Sequence, residues 1–268
     1  MRIDDMNEVN KTLFIPLYGK AQVSKKNIIL KDAMAEKIWE AEKFPIHGKS
    51  KSKWLAYNMA MRARVFDDWT DLMLAKNKDA LVLHIGCGLD SRYERVKQSY
   101  QNWYDCDLPD VIAVRHKYYR ETEHYHMKAL DASDQKQIKD LPDSEVAIVI
   151  LEGISMYLTH EQLHGLFGTL QDKYSKLFVL MDIYTEFAAK ASKYKNPVNE
   201  VGVTKLYGID DIDSITAGSK VRFKEEHSLT PMRLVEELKP FEKVFFKLMF
   251  TGKIYGKIYR LLEFESVS

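Results

Sequence analysis

Residues 145–153 read EVAIVILEG, with six apolar residues in unbroken succession from Val146 to Leu151. Such a run leaves no polar face to turn toward water. At that length and with that share of β-branched residues, it reads as a strand buried on both sides. Such strands belong to parallel sheets covered by helices. Other short segments read as strands: ALVLHIG (80–86) and KLFVLMDIY (176–184), both largely apolar, and the more mixed NWYDCD (102–107) and HYHMKALD (124–131). Helical stretches alternate with them. PDVIAVRHKYYRE places Pro109 at a first helical position, and Thr159 with Gln162 forms a capping-box pair ahead of another helix. The alternation predicts an α/β fold with an open, mostly parallel sheet.

The two ends differ from the middle. Segments 32–43 and 52–74 space their apolar residues three and four apart, with Asp32 and Ser52 as N-caps, so a helical N-terminal cap is expected. At the other end, KVFFKLMF (243–250) and KIYRLLEFE (257–265) read as two strands joined by a short glycine-containing connection. That spacing predicts an antiparallel hairpin at the C-terminal edge of the sheet. Residues 185–228 are polar and irregular, which fits a lid or substrate insertion and equally a solvated excursion. The expected organisation is one domain over 1–268. It comprises a cap at 1–78, a core at 79–184 and 229–268, and an insertion at 185–228.

The sharpest local signal is LVLHIGCGLDSR (81–92), a buried strand that ends in Gly86-Cys87-Gly88. Nineteen positions after Gly88, at the end of the next strand, stands Asp107. Glycines permit a tight turn and a close ligand, and ligands of open α/β sheets sit at the carboxyl ends of strands. An acid at the end of the second strand can accept hydrogen bonds from both hydroxyls of a ribose. The dinucleotide fingerprint requires a third glycine where this chain has Ser91. S-adenosyl-L-methionine has no pyrophosphate and does not require it. These residues favour S-adenosylmethionine and leave an NAD-like cofactor and a non-nucleotide role open.

The chain also resembles the leucine carboxyl methyltransferase family, in its bacterial branch of small-molecule, tetracenomycin-type O-methyltransferases. The resemblance rests on ordered blocks: LFIPLYGKAQVSKKNIILKDAMAEKI (13–38), MRARVFDD (61–68), HIGCGLDSRYERV (84–96), DLPDVIAVR (107–115), LDASD (130–134) and LEGISMYLTHEQ (151–162). It implies a class I, Rossmann-like methyltransferase with a helical cap. By the same resemblance Gly86 and Gly88 lie against the cofactor, and Asp107 holds the ribose hydroxyls. Asp131 and Ala132 face the adenine, Glu152 lies beneath the methionine end, and Lys20 and Arg62 reach the methionine carboxylate. Tyr18 and Tyr157 face the substrate. No catalytic base and no metal ligand is assigned.

The function this implies is methyl transfer to a carboxylate or hydroxyl of a small metabolite, with S-adenosyl-L-homocysteine as product. The alternatives are a protein C-terminal carboxyl methyltransferase and a cofactor-binding module without catalysis. A carboxylate acceptor needs no base because it is ionised at pH 7, whereas a phenol does. The tyrosines at 18, 157 and 207 would then position the acceptor.

Other classes are disfavoured. Forty basic against 39 acidic residues give little of the excess that a nucleic-acid partner requires. No apolar run approaches the ~20 residues of a membrane span, so no membrane partner is expected. Two cysteines make no disulfide framework, and the polar N-terminus resembles no export signal, so the expected compartment is the cytoplasm. His160-Glu-Gln-Leu-His164 matches a zinc motif formally. However, His160 would open its helix, where the dipole repels a cation, so the pair is read as surface residues. His124 with His126, and Cys87 with Cys106, are read as surface and packing pairs respectively. The lysines of KSKSK (49–53) are read as solvated.

Overall fold

The computed structural model describes residues 11–195 and 205–266. Its sheet has seven strands in the order β3-β2-β1-β4-β5-β7-β6. These are β1 Leu81–Ile85, β2 Asn102–Asp107, β3 Tyr125–Ala129, β4 Val146–Leu151, β5 Lys176–Tyr184, β6 Val221–His227 and β7 Tyr259–Ser266. The first five run parallel, and β7 lies antiparallel to both β5 and β6. All five residues of β1 are buried, and β4 is buried throughout apart from its first residue. The continuous apolar runs thus form the middle of a two-sided sheet, as their patterning requires.

Three helices form the cap: α1 Phe14–Lys25, α2 Ala33–Glu42 and α3 Lys53–Lys76. Asp32 caps α2 by accepting from the Ala35 N–H at 2.8 Å. Ser52 occupies the cap position of α3, but its hydroxyl makes no capping bond. Phe14, Phe66 and Trp103 belong to the core on this face of the sheet. Helix α4 (Pro109–Tyr118) begins at its proline and follows β2. Helix α5 (His160–Lys173) begins at the Thr159–Gln162 capping box and packs Leu163, Phe167 and Leu170 into the core on the opposite face.

The C-terminal strand pair is not the hairpin read from the sequence. Residues 240–250 form a helix, α7 (Pro240–Phe250), which follows α6 (Glu186–Lys195) in chain order among the longer helices. Pro240 opens it, and Phe246 packs between Tyr57 and Phe250 at ring distances of 6.5 and 5.0 Å. The antiparallel partner of β7 is β6, which lies inside the stretch expected to be irregular. Its sequence, VRFKEEH, has one buried residue, Val221, and an irregular register between Phe223 and Glu225. Such a polar, bulged strand suits an exposed sheet edge, where charge discourages further pairing. The same polarity removes the alternation by which a strand is read from sequence.

Candidate active site

Strand β1 lies between β2 and β4, and the chain leaves it toward β2 and returns beside it at β4. An open α/β sheet forms a crevice at such a switch point, beyond the carboxyl ends of its strands. Here that crevice is a cavity of about 1230 Å³. Helices α1 and α3 line one wall and the residues following β1, β2, β3, β4 and β5 line the other.

The glycine turn follows β1 as predicted. Gly86 and Gly88 have φ of +75° and +53°, a region that side chains with a Cβ rarely enter. A Cβ on Gly86 would stand 2.7 Å from Ile154 Cδ1 and 2.9 Å from Ile154 Cβ. On Gly88 the nearest atom would be Leu13 Cβ at 3.5 Å. The first glycine is therefore demanded by the protein's own packing, and the second leaves open space toward the cavity. Asp107 ties the turn to β2 by accepting from the Gly88 N–H at 2.7 Å and the Leu108 N–H at 2.8 Å. Each carboxylate oxygen takes one such bond and keeps acceptor capacity. Burial pushes the Asp107 carboxyl up, against the pull of those two N–H groups.

Arg115, fully buried on α4, fixes the turn from behind. It donates to the carbonyls of Gly88 and Asp90, both at 2.9 Å, while Asp105 and the Tyr125 hydroxyl hold its other end. Sequence reasoning did not single out Arg115, although its DLPDVIAVR block was recognised. Asp131 and buried Ala132 line the cavity after β3, alongside Leu108, Val111 and Leu130. Asp131 accepts from the Ser133 N–H at 2.8 Å and its hydroxyl at 2.7 Å.

A buried charge network closes the floor. Arg62 donates to Glu152 and Asp182, both at 2.9 Å, and contacts the Tyr259 hydroxyl. Arg92 donates to Asp67 at 2.7 Å and to Glu152, with His84 Nε2 at 3.2 Å. Arg95 reaches Asp32, Asp67 and Asp90 at 2.7, 2.8 and 2.9 Å. Lys20 pairs with Asp90. Burial alone would raise the Glu152 carboxyl, but Arg92 and Arg62 outweigh it and hold it well below the usual range. Arg95, Lys20 and Arg92 do the same for Asp90. Asp182 goes the other way, because its burial exceeds the pull of Arg62. Lys20, Arg62 and Glu152 were predicted site residues, and all three line the cavity. Asp90, Arg92, Arg95 and Asp182 were not predicted. Asp90 and Arg92 stand in the recognised turn, two and four residues past Gly88.

The remaining wall is apolar and aromatic, with Leu55, Met59, Phe187, Leu206, Phe250 and Ile258. Tyr157 lines it and donates to Thr12 Oγ1 at 3.2 Å, and the Tyr255 hydroxyl accepts from Asn58 at 2.7 Å. Tyr18 does not line the cavity. Its ring packs on Trp39 at 4.9 Å, which places it within the cap. Tyr207 does not line it either.

Among the other residues singled out in the sequence, His124, His126, His164 and the two cysteines have packing or hydrogen-bond partners of their own. His160 opens α5, and His164 Nε2 lies 2.9 Å from the Ala217 carbonyl. His126 stacks on Tyr104, and His124 Nδ1 lies 2.9 Å from the Gln101 carbonyl. Both cysteines are buried and free. Among the described residues, Glu225, His227 and Glu263 also bring ligand-type atoms together. There Lys224, 3.0 Å from Glu263, already supplies the countercharge.

A parallel sheet with an antiparallel end, a glycine turn without a third glycine, and an acid closing β2 together define a class I S-adenosylmethionine-dependent methyltransferase. The residues present fit the cofactor. Asp107 keeps acceptor capacity for two hydroxyls, Leu108, Val111, Leu130 and Ala132 offer apolar surface beside the Asp131 carboxylate, and Gly88 leaves room. Residues 10–171 match the family model described as leucine carboxyl methyltransferase, and the chain belongs to that family. It is 27% identical over 238 residues, 88% of each chain, to the tetracenomycin polyketide synthesis O-methyltransferase TcmP of Streptomyces glaucescens. It is 24% identical over 224 residues, 75% of each chain, to the S-adenosyl-L-methionine-dependent methyltransferase dpfgK of Gibberella zeae. The fold is shared with a methyltransferase of Anabaena variabilis solved by crystallography, at a TM-score of 0.54 and 11% identity, covering 87% of this chain and 94% of that one. The protein is an S-adenosylmethionine-dependent methyltransferase.

Proposed function

We propose that the enzyme transfers a methyl group to the carboxylate of a small, largely apolar metabolite. The observation that carries this reading is the state of the acidic and basic groups around the cavity. Every carboxylate lining it is engaged: Asp90 by Lys20 and Arg95, Glu152 by Arg62 and Arg92, Asp107 by backbone N–H groups and Asp131 by Ser133. Burial pushes the hydroxyls of Tyr157, Tyr255 and Tyr259 up, so none of them ionises readily. His84 lines the cavity but is buried, its ring held between Arg92, 3.2 Å from Nε2, and Asp105, 3.3 Å from Nδ1. Such a wall positions an acceptor better than it deprotonates one. A carboxylate arrives ionised and meets that requirement without a base.

When bound, the cofactor supplies an electrophilic methyl group. Asp107 would hold its ribose, with the Asp131–Ala132 segment at the adenine and Lys20 and Arg62 toward the methionine carboxylate. The apolar wall would exclude water and align the acceptor oxygen, which is where most of the barrier reduction must come from. Tyr157 and Tyr255 would orient the acceptor. The segment after β5 is read as part of the substrate wall, because Phe187, Ala188, Ser192 and Leu206 line the cavity. Residues 196–204 of that insertion lie outside the described residues. Two buried, reduced thiols and a near-neutral charge support a cytoplasmic enzyme acting on a metabolite and not on nucleic acid.

The test is methyl transfer from methyl-labelled cofactor to matched pairs of aromatic acids and phenols. Base-labile methyl esters, with kcat/KM flat from pH 6 to 9, are expected. Base-stable ethers whose formation rises with pH would overturn the carboxylate reading, and label in a protein band would move it to a protein acceptor.

A further inference from the structure

Helix α7 presents an apolar stripe to solvent. Phe241, Val244, Leu248 and Met249 are 84, 69, 80 and 54% exposed, and Phe245 is 39% exposed. Their spacing of three and four places them on one side, while Phe246 opposite is buried. Taking 150–250 Å² for a whole aromatic side chain, the stripe exposes on the order of 500 Å², at the upper end of what a monomer leaves open. Lysines border it. Lys239, Lys243 and Lys247 lie along the helix, and Lys257 follows it. On the other flank α3 begins, with Lys53 3.0 Å from Glu242 and the Trp54 ring tilted against Phe245 at 4.4 Å; exposed Lys51 stands just before it. Lys243 and Lys247 pair with Glu236 at 2.5 and 3.0 Å, and six lysines against the three glutamates 236, 237 and 242 still leave an excess of three positive charges, in a chain whose whole net charge is +1. Helix α7 ends at the cavity: Phe250, stacked on Phe246 at 5.0 Å on the helix's inner side, is a lining residue, as are exposed Phe187 and Ile258.

We infer that this face rests on an anionic lipid surface, with the cavity mouth toward the lipid. An apolar stripe with a basic border and an adjacent tryptophan is what an interfacial helix requires. Anionic headgroups answer the lysines. A second copy of the chain meets this face less well: pairing it with itself sets lysine against lysine. The stripe also falls short of the ~800 Å² per partner of a stable interface. Among the described residues no helix is long and apolar enough to cross a membrane, so the contact is peripheral. This inference does not depend on which acceptor is methylated.

The experiment is co-sedimentation of the full chain with phosphatidylcholine vesicles, with and without phosphatidylglycerol, beside sedimentation equilibrium of the protein alone. Binding to anionic vesicles at least ~10-fold tighter than to neutral ones, weakened by salt, is expected. It should be lost in Phe241→Glu/Leu248→Glu, and that variant should keep its thermal midpoint and its S-adenosylhomocysteine affinity, since both side chains face solvent. No vesicle binding, equal binding to neutral vesicles, or a dimer that the double variant dissociates would each overturn the inference.

Discussion

Replacing each of the two turn glycines by alanine separates the strain of the backbone from the crowding of the site. At Gly86 both act. The positive φ costs an L-residue roughly 1–2 kcal/mol. The added Cβ, 2.7–2.9 Å from Ile154, forces overpacking worth roughly 1–3 kcal/mol more. The sum is roughly 2–5 kcal/mol, which for a chain of this size lowers Tm by on the order of 10 °C. At Gly88 only the backbone cost applies, because the nearest atom is 3.5 Å away. Gly88→Ala should therefore lose only a few degrees. Differential scanning fluorimetry without cofactor reads both. The decisive control is Ile154→Ala in the Gly86→Ala background, which should recover the crowding share but not the backbone share. A non-additive recovery of 0.5–3 kcal/mol is the expected size for residues in contact. Equal losses at the two glycines, or strict additivity with Ile154→Ala, would refute the assignment of the first glycine to packing.

Asp107→Asn should weaken S-adenosylhomocysteine binding about tenfold or more by calorimetry, because the amide nitrogen cannot accept from a hydroxyl. Because burial raises the Asp107 carboxyl, wild-type affinity should begin to fall on acidification above the ordinary carboxylate range near 4. Glu152→Gln should cost about 3–5 kcal/mol by urea denaturation at pH 7, since it leaves Arg62 and Arg92 facing less negative charge in a buried site. Glu152 is depressed in the folded state, so its stabilisation is present above its unfolded value near 4.3 and is lost as pH falls through the lower folded value. The gap between wild type and Glu152→Gln should accordingly hold down to about pH 5 and close only in stronger acid. Cys87 and Cys106, both buried and both pushed up by that burial, should react with a thiol reagent only as fast as the protein unfolds. Labelling on mixing would contradict their packing.

What was legible in the sequence follows from where one physical signal dominates. Strands β1, β4 and β5 carry near-continuous apolar runs because both faces are covered, whereas β2 and β3 are mixed and were legible from their place between helical stretches. The glycine turn and Asp107 were legible because φ above zero, and a carboxylate closing β2 against the Gly88 N–H, each demand a narrow choice of residue. The C-terminal region was misread because its apolar residues serve two masters. In α7, Phe246 is spent on the core while Phe241, Phe245 and Leu248 face outward, so KVFFKLMF shows an almost unbroken apolar run and reads as a buried strand. The true strand β6 sits at an edge, where burial is slight and charge is useful, so it shows almost no apolar pattern. The site divides in the same way. Residues that touch the cavity directly, such as Gly86, Asp107 and Glu152, could be named from motif positions. Arg115 and Arg95 act through other residues; each has a near partner, Asp105 and Asp90 respectively, but their roles also depend on partners 25 and 28 positions away: the Asp90 carbonyl for Arg115, and Asp67 for Arg95. No local spacing encodes such a pairing. An unpaired buried guanidinium is costly, however, so an arginine inside an apolar helix such as PDVIAVR already implies a carboxylate or carbonyl waiting for it. Tyr18 shows the limit of the reverse inference. It lies two residues before Lys20 on α1, yet an aromatic neighbour in the cap, Trp39, claims its ring, and helical geometry turns it away from the cavity that Lys20 lines.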